Sequence, residues 1–196
     1  MSTRRNLANP RESIVAVATT LFGEHGYEGT TMRRIAEEVG VLPGSLYAHI
    51  DGKETLLLEI VENGMDRALE LVEPIRVSSE RADLRLRGAI RAHIESVVEN
   101  PARALCIFHQ WRHLTGAYKD RIIEKRRAYE QVFSSIMADG VAAGVFRDTL
   151  EPRIAILGVL GALNWSMEWY SPQGPAGAEE IAERIADALL LGLQRS

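Results

Sequence analysis

Cysteine is almost missing from this 196-residue chain, where Cys106 stands alone. One thiol excludes an internal disulfide and a four-cysteine zinc module, and it fits a reducing, cytoplasmic setting. Long apolar runs are missing as well. The most apolar stretch, residues 154–163, is about half of what a membrane span requires. The start, Met1-Ser2-Thr3-Arg4-Arg5-Asn6, is basic with no apolar run behind it, so no signal peptide is expected. The chain has no Gly-rich phosphate loop, nucleophile elbow or HExxH motif. Nor does it carry a nucleophile–base or paired-carboxylate signature, so neither an enzyme nor a cofactor is expected. Charge of one sign is not in excess, with 23 basic against 27 acidic side chains and a net charge of −4. Apolar residues, by contrast, are plentiful at 46%, which excludes an intrinsically disordered chain and suffices for a sizeable core.

The net charge hides an uneven distribution. Residues 1–53 hold six basic side chains (Arg4, Arg5, Arg11, Arg33, Arg34, Lys53) and six acidic ones, so the acidic surplus lies wholly in the remainder. Whether those cations act together depends on where the fold puts them.

Apolar residues recur at three- and four-residue steps throughout, and no stretch alternates long enough for a strand, so the chain is expected to be all-α. A first helix is predicted over 11–25, ended by Gly26, and a second from Thr30 or Thr31 to Gly40. A third is predicted over 43–50, followed by the turn Asp51-Gly52, and a fourth from Lys53 past Val72 until Pro74 breaks it. Five more are predicted over 84–99, 101–114, 118–143, 152–170 and 179–193.

Three short helices joined by tight turns outline a helix-turn-helix. Threonine at a helix start and an opening Pro43-Gly44-Ser45 with little side-chain bulk let backbone N–H groups approach phosphates closely. Arg33, Tyr47, His49 and Lys53 add side chains that can meet phosphates or base edges. The run from Thr30-Thr31-Met32-Arg33-Arg34-Ile35-Ala36 through Val39-Gly40-Val41-Leu42-Pro43-Gly44-Ser45-Leu46-Tyr47-Ala48-His49-Ile50-Asp51-Gly52-Lys53 to Leu57 closely resembles the tetracycline-repressor (TetR) family of transcription regulators. Ala18-Thr19-Thr20-Leu21-Phe22-Gly23-Glu24-His25-Gly26-Tyr27 is similar to that family's first helix and its exit. The resemblance implies an all-α protein with a helix-turn-helix domain over 1–53 and a ligand-binding and dimerisation domain over 54–196. It also implies backbone contacts to double-stranded DNA from Thr31, Tyr47, His49 and Lys53, and base-edge contacts from Arg33, Pro43, Gly44 and Ser45. Ile50 stands where the family usually has an aromatic. Arg4 and Arg5 form either a solvated arm or one that touches DNA.

One helix-turn-helix reads half an operator, so a homodimer and a palindromic site are expected. Ile154, Leu157, Gly158, Gly161, Ala162 and Trp165 give one pairing face, and Ile181, Ile185, Ala188, Leu189 and Gly192 another. The segment Asn164-Trp165-Ser166-Met167-Glu168-Trp169-Tyr170-Ser171-Pro172-Gln173-Gly174-Pro175 resembles TetR-type regulators of fatty-acid, steroid or related acyl-thioester catabolism. Gly161 and Glu168 stand where relatives that bind coenzyme A esters carry arginines. Phe108, His109, Trp111, Tyr129, Phe133, Asn164 and Trp165 are the candidate effector contacts, mostly apolar with Asn164 and His109 as polar handles. The reading is a ligand-responsive repressor released by a mostly apolar effector. The alternative is a metal- or thiol-sensing regulator. Cys106, His109 and His113 share a face at i, i+3 and i+7 on the helix predicted over 101–114.

Overall fold

The computed structural model describes residues 10–149, 151–171 and 173–194. Among them the chain is helical, without a strand: α1 (Pro10–Gly29), α2 (Met32–Val39), α3 (Pro43–Leu46), α4 (Lys53–Arg76), α5 (Ala82–Glu99), α6 (Pro101–Phe108), α7 (Gly116–Ala142), α8 (Pro152–Trp169) and α9 (Ala178–Leu193). A 3-10 turn, Gln110–His113, follows α6. No helix among the described residues is long and apolar enough to cross a membrane.

Three expectations need correction. Pro74 does not break the fourth helix; it lies inside α4, two residues before its end. In the last turn its missing N–H removes a single helical bond, too little to stop the helix. The third helix is shorter than expected, because the Leu46 carbonyl accepts the amides of both His49 and Ile50 and tightens the chain into a turn. The span 101–114 is likewise not one helix, since α6 ends at Phe108 and the chain winds into the 3-10 turn.

Packing groups the described residues differently from a single cut at Lys53. One compact unit takes the chain up to Gly64 together with Pro101–Ile123; the other takes Met65–Asn100 and the chain from Glu124 on. In the first, α1 buries Ile14, Ala18, Leu21 and Phe22, α2 buries Ile35, Ala36 and Val39, and Leu46 and Ile50 close the small core. Phe22 is fully buried, and truncating such a ring costs about 3–5 kcal/mol. Helices α1 and α6 meet at Gly23, where an added Cβ would lie 2.8 Å from the Cα of Ala102.

In the second unit α5 packs on α8 and α9. Its buried residues include Leu86, Ala89, Ile90, His93, Ile94 and Val97, with Ile156, Val159, Leu163 and Ser166 buried on α8 and Ala182, Ala186 and Leu190 on α9. Arg87 bridges α5 to Glu183 at 2.5 Å and Asp187 at 2.6 Å, and Arg91 also reaches Glu183. Hydrogen bonds from Arg91 and then Arg87 hold the Glu183 carboxyl below the usual carboxylate range. Arg147 donates to the carbonyls of Gly192 and Gln194, satisfying groups that the end of α9 leaves without helical partners.

Candidate nucleic-acid interface

The start of α2 is capped by Thr31, whose Oγ1 accepts the Arg34 amide at 3.1 Å. Its hydroxyl proton remains to donate, and the residue is exposed. At the other end Gly40 takes φ 81° and turns its N–H to the carbonyls of Ala36 and Glu37. A left-handed residue here suits glycine, and it aims the chain into α3. Pro43 opens α3, and Pro43, Gly44, Ser45 and His49 are exposed around the buried Leu46. Tyr47 is 56% exposed, so its ring is free of the core. Arg33 is exposed and pairs with Glu37 one turn on, at 2.9 Å. Arg34 reaches the Nε2 of His25 at 2.8 Å. Arg4 and Arg5 lie outside the described residues.

Lys53 is placed differently from its neighbours. It is half-buried, and its ammonium donates to the carbonyls of Tyr27 at 2.9 Å and Thr30 at 3.0 Å. It also lies 4.1 Å from the centre of the Tyr27 ring. One N–H of the three remains for another acceptor. Thr30, buried beside this site, holds its hydroxyl 2.9 Å from the Gly26 carbonyl and 3.1 Å from that of Leu21.

Among the candidate effector contacts, Phe108, His109 and Trp111 belong to the first unit, and Tyr129, Phe133, Asn164 and Trp165 to the second. Phe108 and Trp111 are half-buried and His109 is exposed. Tyr129 and Phe133 are buried with their rings 5.5 Å apart. Asn164 is half-buried, whereas Trp165 is 65% exposed. In the second unit a buried residue that the sequence reading did not single out lies beside Tyr129. His93 on α5 sits 2.9 Å through Nδ1 from the Tyr129 hydroxyl. Burial lowers the His93 pKa to about 4, so the ring is neutral near pH 7, and burial raises that of Tyr129.

The Cys106/His109/His113 metal reading does not survive. Where α6 gives way to the 3-10 turn, the i, i+3, i+7 spacing no longer shares a face. Cys106 is buried 3.9 Å from the Thr19 carbonyl, with burial pushing its thiol up to about 12. His113 stacks on Tyr27, with ring centres 5.1 Å apart. No group of three or more His, Cys, Asp or Glu residues among those described is arranged to hold a metal ion.

Comparison with known families then decides the class. Residues 14–60 match "Bacterial regulatory proteins, tetR family", and residues 79–193, more than half of the chain, match "Tetracyclin repressor-like, C-terminal domain". The chain belongs to the TetR family. It is thus a TetR-family transcriptional regulator, and the helix-turn-helix just described is the family's DNA-binding module. The HTH-type transcriptional repressor KstR2 of Mycolicibacterium smegmatis is 26% identical over 190 residues, covering 96% of this TetR-family chain and 93% of the relative. The structure of the ketosteroid transcriptional regulator KstR2 of Mycobacterium tuberculosis superposes with a TM-score of 0.90 at 23% identity, over 97% of this chain and 98% of that one. At that identity the shared fold is the finding. AibR, solved in complex with isovaleryl coenzyme A and operator DNA, superposes with a TM-score of 0.82 at 27% identity, over 95% of this chain and 98% of that one.

Proposed function

We propose that this regulator represses transcription as a homodimer on a palindromic operator and is released by a mostly apolar effector of fatty-acid, steroid or aromatic type, free or as a thioester. The observation that carries the DNA side is the exposure of Thr31, Arg33, Pro43, Gly44, Ser45, Tyr47 and His49 within one short helix-turn-helix, with Lys53 beside them. Phosphate contacts from Thr31, Tyr47, His49 and Lys53 fix orientation, and Arg33 and the α3 opening read bases. Pairing is supported by an outward apolar face on α8. Ile154 and Trp165 are each 65% exposed, with Leu157, Gly158, Gly161 and Ala162 exposed between them. A surface of that kind on a soluble regulator points to a partner, and a second copy supplies the second half-site.

The effector class is supported by the buried aromatic pair Tyr129 and Phe133 as apolar lining within the second unit, and by the likeness to KstR2, a ketosteroid regulator, and to AibR, which was solved with an acyl thioester. Beyond Asn164, the neutral His93–Tyr129 pair of the same unit offers a polar handle to a ligand carbonyl or hydroxyl. The test is a gel-shift titration on a palindrome selected from random DNA, with tryptophan fluorescence read in parallel. Long-chain acids, sterols, aromatic acids and their thioesters should quench the fluorescence and release DNA. Replacing Tyr47 with Ala should weaken every site by a similar factor, about fivefold. Release by a hydrophilic compound alone, with no response to the panel, would overturn the effector class.

A further inference from the structure

We infer that Gln110 is a positioning residue for operator binding, holding the Tyr27–Thr30 segment, and with it Lys53 and the start of α2, to the 3-10 turn that follows α6. This rests on the DNA-binding reading above.

The argument begins at a break. Gly26 has φ 75° and ψ 162°, outside helical geometry and inside a region that glycine enters freely. A break of this kind strips the following amide of its helical acceptor. The Tyr27 amide finds a replacement 83 residues further along the chain, in the Oε1 of Gln110, at 2.8 Å and partly buried. A partly buried N–H cannot lose that acceptor cheaply.

The Tyr27 backbone in turn bears on DNA contact. Its carbonyl and that of Thr30 take the two hydrogen bonds that fix the Lys53 ammonium. Thr30 directly precedes the α2 cap, Thr31. The same short stretch of chain grips twice more. His113 stacks on the Tyr27 ring and brings Nδ1 to 3.5 Å from Glu28. Thr115 donates both its amide, at 2.7 Å, and its hydroxyl, at 2.9 Å, to Glu54, the neighbour of Lys53. Residues 110–115 therefore strap both ends of the helix-turn-helix. Within the strap, Gln110 closes the backbone gap at Gly26. Its side chain sets where Lys53 stands before DNA arrives.

The chemistry dictates the variants. Gln110→Leu keeps the volume and removes the acceptor. Gln110→Glu keeps an acceptor oxygen. With the full-length protein and a palindrome selected by the wild type, Q110L should raise the operator Kd about tenfold. It should also flatten the slope of log Kd against log salt by about one phosphate contact. Q110E should stay within about threefold of the wild type. Q110L and Lys53→Ala should combine less than additively, because both remove the same placed ammonium. Amide exchange at Tyr27 should quicken in Q110L and not in Q110E. If Q110L no longer melts cooperatively, Gln110→Asn, whose amide is one methylene shorter, replaces it with the same expected readings. Wild-type Kd and salt slope in Q110L would overturn the inference. So would effects of Q110L and K53A that simply add. A wild type that selects no palindrome would instead overturn the DNA-binding reading itself.

Discussion

His93 shows how much one side chain can decide out of sight. It is buried and neutral, with its pKa brought down from 6.5 to about 4 by burial. In the unfolded chain the same ring protonates near its ordinary value, so the unfolded state binds more protons than the folded one between those limits. The stability tied to a neutral His93 is therefore fully present above about pH 6.5. It is lost as pH falls toward 4, by roughly 3 kcal/mol in all. Urea unfolding across this window should show that loss in the wild type, and His93→Asn should remove most of the slope; parallel curves would refute it. The sequence made the exposed residues of the helix-turn-helix readable, because the motif fixes both their spacing and their surroundings. His93 was not readable in the same way. It occupies an apolar step on α5, and its partner Tyr129 lies 36 residues away on α7. Gln110 was harder still, since only the folded chain shows that Gly26 leaves an amide to be filled.

Helix existence was legible from periodicity, and helix ends were less so. Gly40 and the Thr30-Thr31 pair marked the ends of α2, with Thr31 the one that caps it, because caps are local chemistry. Pro74 misled because a proline is tolerated so near a terminus, and the 3-10 turn was invisible because its residues keep a helical look. The metal reading fell with that turn, since its geometry assumed one unbroken helix. The seam between α1 and α6 is a second element-scale feature. At Gly23 a Cβ would stand 2.8 Å from the backbone Cα of Ala102, so no rotamer change relieves it and the helices must part. Gly23→Ala should cost about 1–3 kcal/mol, Gly23→Val more, and operator affinity should fall in the same order although every DNA-facing side chain is intact. Calorimetry and gel shift on the series check this; equal stabilities would show that the seam yields.

For the whole molecule, the expected unit of function is a pair. Gly161 has no heavy atom within 4 Å of where a Cβ would stand, so an arginine there fits the single chain. In the proposed interface it would bury an unpaired charge, at a cost of roughly 3–5 kcal/mol. Gly161→Arg should sediment as a folded monomer and bind the operator far more weakly than wild type. A G161R dimer of normal affinity would mean that pairing uses another face. The apolar and small residues of α8 were legible in the sequence, but the exposure of Trp165 was not, because helical period does not say which apolar face water keeps.

That face carries a consequence for dosage in the cell. Under the proposed pairing a lone chain reads only half a site, so active repressor grows as the square of chain number until dimers saturate. Halving expression in that regime leaves a quarter of the dimers. Small changes in synthesis or dilution at division would thus move the target genes sharply, giving a copy-number threshold before any effector binds.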